Sequence, residues 1–185
     1  PQLVTTANPW VIAYDPGSGE ELWRCNALYG DVAPSPVSAG EVVFVTNDMA
    51  QAAAIKATGR GDVTGTHILW TALDGCADTA SPLTDGSHFF QARQDGQMTC
   101  FDAATGKLLW EAFADYGFKA SPVLAGGLVY LTDQVGETVV FALGPEYEVL
   151  SRGSLGEAVS ASPAFGDGRI YFRGAEHLFC LGVEK

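Results

Sequence analysis

Short apolar runs, each broken by glycine, proline or a polar turn, recur along the whole chain. Val42-Val43-Phe44-Val45, His88-Phe89-Phe90, Leu128-Val129-Tyr130-Leu131 and Ile170-Tyr171-Phe172 are rich in β-branched and aromatic residues. Runs this short, bounded by turn residues, predict strands rather than helices. A tight turn precedes each: Ala39-Gly40, Asp85-Gly86, Gly126-Gly127 and Asp167-Gly168. Before each turn stands a Ser-Pro pair with a small or apolar follower: Ser35-Pro36-Val37, Ser81-Pro82-Leu83, Ser121-Pro122-Val123 and Ser162-Pro163-Ala164. The Ser-Pro spacings are 46, 40 and 41 residues. Trp23, Trp70 and Trp110 keep the same rhythm, and Leu150 follows 40 residues later in the same role.

Each period predicts four strands, A to D. Strand A follows Ser-Pro and strand B follows the glycine turn. Strand C carries a small residue at one place (Ala13, Ala54, Cys100, Ala142, Cys180), and strand D carries the tryptophan. Four strands in about 40–45 residues is the period of a propeller blade. The expected fold is therefore all-β, a β-propeller of four-stranded antiparallel blades. The expected divisions are a partial blade 1–26, blades 33–72, 80–113 and 120–152, and a partial blade 161–185. The first lacks strand A and the last lacks strand D, which makes 18 strands.

The segment joining strands C and D is the most specific. Ala13-Tyr14-Asp15-Pro16-Gly17-Ser18-Gly19-Glu20-Glu21-Leu22-Trp23 recurs as Cys100-Phe101-Asp102-Ala103-Ala104-Thr105-Gly106-Lys107-Leu108-Leu109-Trp110. Asp15 and Asp102 suit a turn closed by a side-chain to backbone bond. Gly19 and Gly106 suit a positive φ. The second copy departs, with Lys56 for Asp and an enlarged turn over 59–65; the fourth has Gly144 and Leu150 in place of Asp and Trp. This pattern resembles the tryptophan-docking repeat of the pyrroloquinoline-quinone (PQQ) type propeller family. The chain also resembles the C-terminal half of propeller proteins grouped with the outer-membrane β-barrel assembly lipoprotein. The resemblance implies a ring of about seven or eight blades, of which this chain is about half. A self-closed ring of five blades is the alternative. It also implies a location outside the cytoplasm, periplasmic or at the cell surface.

Composition narrows the function. Hydrophobic residues make up 47% and charged residues 17%, which favours a packed core over disorder. The net charge is −12, so nucleic acids and anionic membrane surfaces are poor partners, and a basic protein or cationic ligand suits the chain better. No apolar run has transmembrane length, and no signal peptide is visible after Pro1. Cys25, Cys76, Cys100 and Cys180 form no CxxC pair, and Cys100 and Cys180 read as small core residues rather than as a disulfide. A Cys25–Cys76 bond stays open. His67, His88 and His177 read as ordinary strand-side histidines, with no metal partner.

Two function classes follow. The first is a non-catalytic binding scaffold with no catalytic, metal or cofactor residues of its own, and with self-association or recruitment of missing blades as a corollary. The second is a PQQ-dependent dehydrogenase, or part of one. By resemblance its site would need a stacking tryptophan, carboxylates around calcium and adjacent cysteines. The tryptophans recur in blade after blade, as packing requires, whereas one cofactor requires one stacking partner. The D–A connections (26–34, 73–80, 114–120, 154–161) and B–C turns share one side of the propeller. They predict a binding face of Tyr29, Asp31, Asp78, Asp115, Tyr116, Phe118, Asp133 and Glu157. The opposite side, with its short glycine turns, is expected to offer little shape to recognise.

Overall fold

The computed structural model describes residues 1–48 and 50–182. The last three residues expected in the final blade, 183–185, lie outside the described residues. The chain folds as five consecutive antiparallel sheets. The first holds β1 (Leu3–Thr6), β2 (Trp10–Tyr14) and β3 (Glu21–Asn26). The second holds β4 (Val37–Ala39), β5 (Val42–Thr46) and β6 (Ala52–Lys56); after β7 (Gly61–Asp62) and α1 (Thr64–His67) it closes with β8 (Ile68–Ala72). The third holds β9 (Leu83–Thr84), β10 (His88–Ala92), β11 (Gln97–Asp102) and β12 (Leu108–Phe113). The fourth holds β13 (Val123–Ala125), β14 (Leu128–Thr132), β15 (Glu137–Phe141) and β16 (Val149–Ser154). The fifth holds β17 (Ala164–Gly166), β18 (Arg169–Arg173) and β19 (Leu178–Gly182). Each sheet is one blade, and the single turn α1 is the only helix among the described residues.

Blades stack face to face, and the alternation of each strand decides which residues meet. Val11, Ala13, Trp23 and Cys25 of the first blade pack on Val43, Val45, Ala53 and Ile55 of the second. Phe44, Ala54 and Trp70 pack on Phe89 and Phe101 of the third. Phe90, Met98 and Cys100 pack on Val129, Leu131 and Phe141 of the fourth, with Trp110 half-buried beside them. Internal blades are thus covered on both faces, which is why β6 and β11 are almost wholly buried.

The C–D turns behave as their residues predict. Asp15 Oδ1 accepts the Gly17 and Ser18 backbone N–H groups at 2.8 and 2.9 Å, and Asp102 Oδ1 accepts Thr105 N–H at 2.8 Å. These bonds hold both carboxyls below the usual carboxylate range, led by the Ser18 backbone for Asp15 and the Thr105 hydroxyl for Asp102. Gly19 and Gly106 have φ of 76° and 70°. Gly106 has a second reason to lack a side chain, because a Cβ there would lie 2.5 Å from the Trp70 ring.

Two expectations need correction. In the fourth blade, Val140 pairs with Ser151 and Phe141 with Val149 across a bulge. The third blade has the matching bulge, with Cys100 opposite Trp110 and Phe101 opposite Leu108. Ser151, not Leu150, therefore stands where the tryptophan stands elsewhere, and Val140, not Ala142, holds the small-residue place. Ala142, not Gly144, then takes the position of Asp102. The register is set by the bulge, and a degenerate motif does not mark where a bulge falls. The enlarged turn after Lys56, expected only as a departure from the repeat, has a partner of its own. Its β7 runs back to the first blade and pairs in parallel with β3, Trp23 opposite Gly61 and Arg24 opposite Asp62. It ties the first two blades together at their outer edge.

Candidate functional site

The D–A connections and B–C turns share one side of the molecule, and each connection is stitched to a B–C turn of a blade it joins. Asn47, fully buried, donates its amide to the Tyr29 and Asp31 carbonyls and accepts Tyr29 N–H. Arg93 bonds the Cys76 carbonyl at 2.9 Å and pairs with Asp48 at 3.1 Å and Asp95 at 3.2 Å. Phe118 N–H donates to the Arg93 carbonyl, and Val159 N–H to the Gln134 carbonyl. Backbone groups that irregular loops would leave unpaired are thereby satisfied, and the loops become a rigid surface.

This stitching divides the residues expected on the face. Tyr29, Asp31, Asp115 and Tyr116 are exposed, with Tyr29 at 73% and Tyr116 at 53%. Phe118 is buried, 1% exposed, and packs in the core between the third and fourth blades. Its connection turns inward to bond Arg93, which carries the ring with it. Asp133 is also buried, and its carboxylate accepts the Val135 and Glu137 N–H groups. Asp78 accepts Gln94 N–H at 3.1 Å. Glu157 accepts the Glu176 and His177 N–H groups at 3.2 and 2.9 Å and meets His177 Nδ1 at 2.8 Å. Phe118, Asp78, Asp133 and Glu157 thus build the face rather than offer themselves from it. Two exposed apolar residues escaped the sequence reading: Leu73 at 75% and Phe113 at 69%. Both stand where a D strand enters its connection, one place past the strand's inward alternation.

Glu157, Glu176 and His177 form the only group of three metal-capable side chains among the described residues. Their closeness corrects the expectation that no histidine meets carboxylates. The His177 bond, with the two backbone donors, holds Glu157 below its ordinary range. Glu157 occupies the place of Asp78 one blade pair earlier, a connection carboxylate capping the next B–C turn, so its oxygens already have backbone work. The cysteines are free thiols. Burial pushes Cys25 up to about 11 and Cys100 to about 12, so neither is a thiolate at neutral pH. Cys180, expected to be buried, is exposed.

At the inner edge, the Ser-Pro serines explain their own recurrence. Ser35 N–H donates to the Ser81 hydroxyl at 3.0 Å, Ser81 N–H to the Ser121 hydroxyl at 2.9 Å, and Ser121 N–H to the Ser162 hydroxyl at 2.9 Å. One relay therefore links the innermost strands of four blades. A groove of about 640 Å³ lies between the first two blades, lined by Gln2, Val4, Pro36, Val37, Ser38 and Val43 among others. It extends to Gly40, Glu41 and the 57–60 turn, on the side expected to offer no shape.

A quinone cofactor needs a ring-stacking plane and several carboxylates around one cavity. Trp23, Trp70 and Trp110 instead lie between blades, their indole N–H groups bonded to the Gln2 side chain and to the Ala103 and Gly144 carbonyls. The Arg24 guanidinium lies over Trp10 at 5.3 Å. The groove carries one carboxylate, Glu41. Among the described residues, this groove therefore brings together no tryptophan face and no second carboxylate.

Comparison with known proteins agrees with this geometry. The solved structure of BamB from Moraxella catarrhalis superposes with a TM-score of 0.74 at 17% identity, over 97% of this chain and 54% of that one. The quinohemoprotein alcohol dehydrogenase ADHIIG from Pseudomonas putida HK5 superposes with a TM-score of 0.64 at 14% identity, over 82% of this chain and 29% of that one. The chain thus spans about half the length of its BamB neighbour. No curated protein sequence matches it. At such identities the superpositions speak for the fold, a PQQ-type β-propeller. The family model described as outer membrane protein assembly factor BamB matches residues 7–75 and 62–146, three quarters of the chain, and to that family the chain belongs.

Proposed function

We propose that the chain is a non-catalytic, protein-binding propeller scaffold that works outside the cytoplasm, in the assembly of outer membrane proteins. The observation that carries this reading is the loop side. Tyr29, Leu73, Phe113 and Tyr116 are all more than half exposed there, on connections locked by hydrogen bonds. Large apolar side chains held out on a rigid frame suit interface anchors, because little freedom is lost on binding. Asp31, Asp74 and Asp115 are exposed among them, and the chain's net charge of −12 favours a basic partner whose association weakens with salt. The family description, outer membrane protein assembly factor, supports a protein as that partner.

The quinoprotein reading has a structural likeness in its favour and no site assembled among the described residues. Absorbance and dye-linked alcohol oxidation after adding PQQ and Ca²⁺ separate the two, and turnover would overturn the scaffold reading. The binding face is tested with a partner captured from a periplasmic extract. Tyr116→Ala and Asp115→Lys are expected to weaken its binding, while Glu20→Lys and Lys107→Glu on the opposite turns leave it unchanged. Equal binding by all four variants removes this face.

A further inference from the structure

We infer, on the basis of the scaffold reading above, that the boundary between the fourth and fifth blades holds a seat for a tryptophan side chain of the protein partner. Strand register locates the seat. Ala13, Ala54, Cys100 and Val140 occupy the small-residue place of four blades, and opposite them stand Trp23, Trp70, Trp110 and Ser151. Three boundaries are therefore filled by an indole of the chain itself, and the fourth is not.

The neighbours of that place decide whether the space is closed by other means. Between the second and third blades, Trp70 meets Phe89 and Phe101, with ring centroids 5.9 and 6.4 Å apart. Phe89 and Phe101 pair with each other, and the corresponding pair in the fifth blade is Ile170 and Leu181. Ala72, two places after Trp70, corresponds to Gly153. Three rings and a methyl group are thus replaced by Ser, Ile, Leu and Gly. Val140 for Ala54 and Thr138 for Ala52 return only small groups. A Cβ at Gly153 would meet nothing within 4 Å, so the space is open beside it. All these residues lie within paired strands, and it is the size of their side chains that leaves the gap.

The cavity that remains is about 180 Å³. An apolar cavity of about 150 Å³ is enough to hold a benzene ring. Tyr130, Val140, Ile170, Phe172 and Leu181 supply apolar walls, and the Thr138 hydroxyl is bonded to that of Thr132 at 2.8 Å. The lining continues to Gly153, Ser154 and Leu155, where β16 enters its connection. The cavity thus reaches the loop side, where Tyr29, Leu73, Phe113 and Tyr116 are held out. The occupant is therefore a ring carried by the polypeptide bound on that side, entering between two blades as the chain's own indoles do. A preformed slot that receives one planar side chain freezes few rotamers, which is what an anchor pocket requires.

The probe is N-acetyl-tryptophanamide, titrated into the chain and followed by NMR. It is expected to shift the Gly153 amide and the Ile170 and Leu181 methyls saturably, with a Kd of about millimolar, as suits one small ring. N-acetyl-leucinamide is expected to bind about fivefold more weakly, having less apolar area to bury. Gly153→Val puts methyl groups into the open space, on a strand that favours them, and is expected to weaken the probe about tenfold without lowering Tm. Ser151→Trp fills the slot with the chain's own ring and is expected to weaken the probe as far. No saturable shift in the native chain overturns the proposal, and so does undiminished affinity in either variant when folded. The partner captured from the periplasmic extract is then compared on the native chain and on Gly153→Val. A loss of about fivefold is the expected result for an anchor that can no longer enter. Unchanged partner binding overturns the seat, and the Tyr116→Ala arm shows separately whether the loop-side reading stands.

Discussion

The boundary between the second and third blades and the boundary between the fourth and fifth share a plan and differ at the docking position. At the first, Trp70 lies over Gly106, donates to the Ala103 carbonyl at 2.9 Å, and joins Phe44, Phe89 and Phe101 in one aromatic cluster. At the second, Ser151 holds the equivalent place. A cavity of about 180 Å³ opens there, lined by Tyr130, Val140, Ser151, Ile170, Phe172 and Leu181 among others. The ring contact across it is Tyr130 with Phe165, nearer the inner edge. Neighbouring blades diverge from the axis outward, so the gap between their outer strands is a wedge. A flat, large side chain fills that wedge, and a serine leaves it open.

The largest expected effect breaks the filled boundary. Trp70→Ala is expected to cost about 3–5 kcal/mol, as large buried aromatics do on truncation. Trp110→Ala is expected to cost less because Trp110 is only half-buried. Both are read from denaturant midpoints. If Trp70→Ala costs no more than Ser151→Ala, the comparison fails.

Gly106→Ala attacks the same boundary from the other side. The φ of 70° and the 2.5 Å approach to the indole together predict a loss of about 1–3 kcal/mol. A Trp70→Ala background removes the ring but leaves the φ, so part of the loss should persist there. Full additivity would show that the close approach costs nothing. Ser151→Trp tests the empty boundary. Filling the cavity is expected to stabilise by about 1 kcal/mol, and a lower Tm would show that the fifth blade cannot receive an indole.

The smallest effect is a pH dependence. Asp15, Asp102 and Glu157 are held below their ordinary range when folded. A carboxyl with a depressed folded pKa contributes stability above its unfolded value, and that contribution is lost as pH falls through the folded one. Stability should therefore be flat near neutrality and decline below about pH 4, near the ordinary value for Asp. Asp102→Asn should make the acid side of a Tm–pH profile shallower and leave the neutral side level. An unchanged acid limb would show that the turn bonds do not favour the charged form.

The strands were legible in the sequence because their causes are local. A β-branched run between turn residues has few alternatives, and the Ser-Pro and Trp rhythm repeats the same local solution blade after blade. The C–D turns were legible for the same reason, since Asp15 and Asp102 bond backbone groups two or three residues away. The make-up of the loop side was legible only in outline. Tyr29 and Tyr116 stand out as expected, whereas Phe118 was read as exposed from its loop position and is buried by a bond to Arg93, 25 residues earlier. Leu73 and Phe113 were missed because an apolar residue at the junction of a D strand and its connection looks like core until the side-chain alternation there is placed.

Tertiary structure alone decided three things: the bulge that puts Ser151 in the tryptophan's place, the return of β7 to β3 and the serine relay. The return of β7 and the serine relay join residues that lie far apart in the chain, and their pairing depends on how one blade is stacked against the next. Periodicity carries the shape of a blade, because a blade is made by neighbours in sequence. It carries no measure of the wedge between blades, and that wedge sets which residues are buried, which loops are held out and where the molecule stays open.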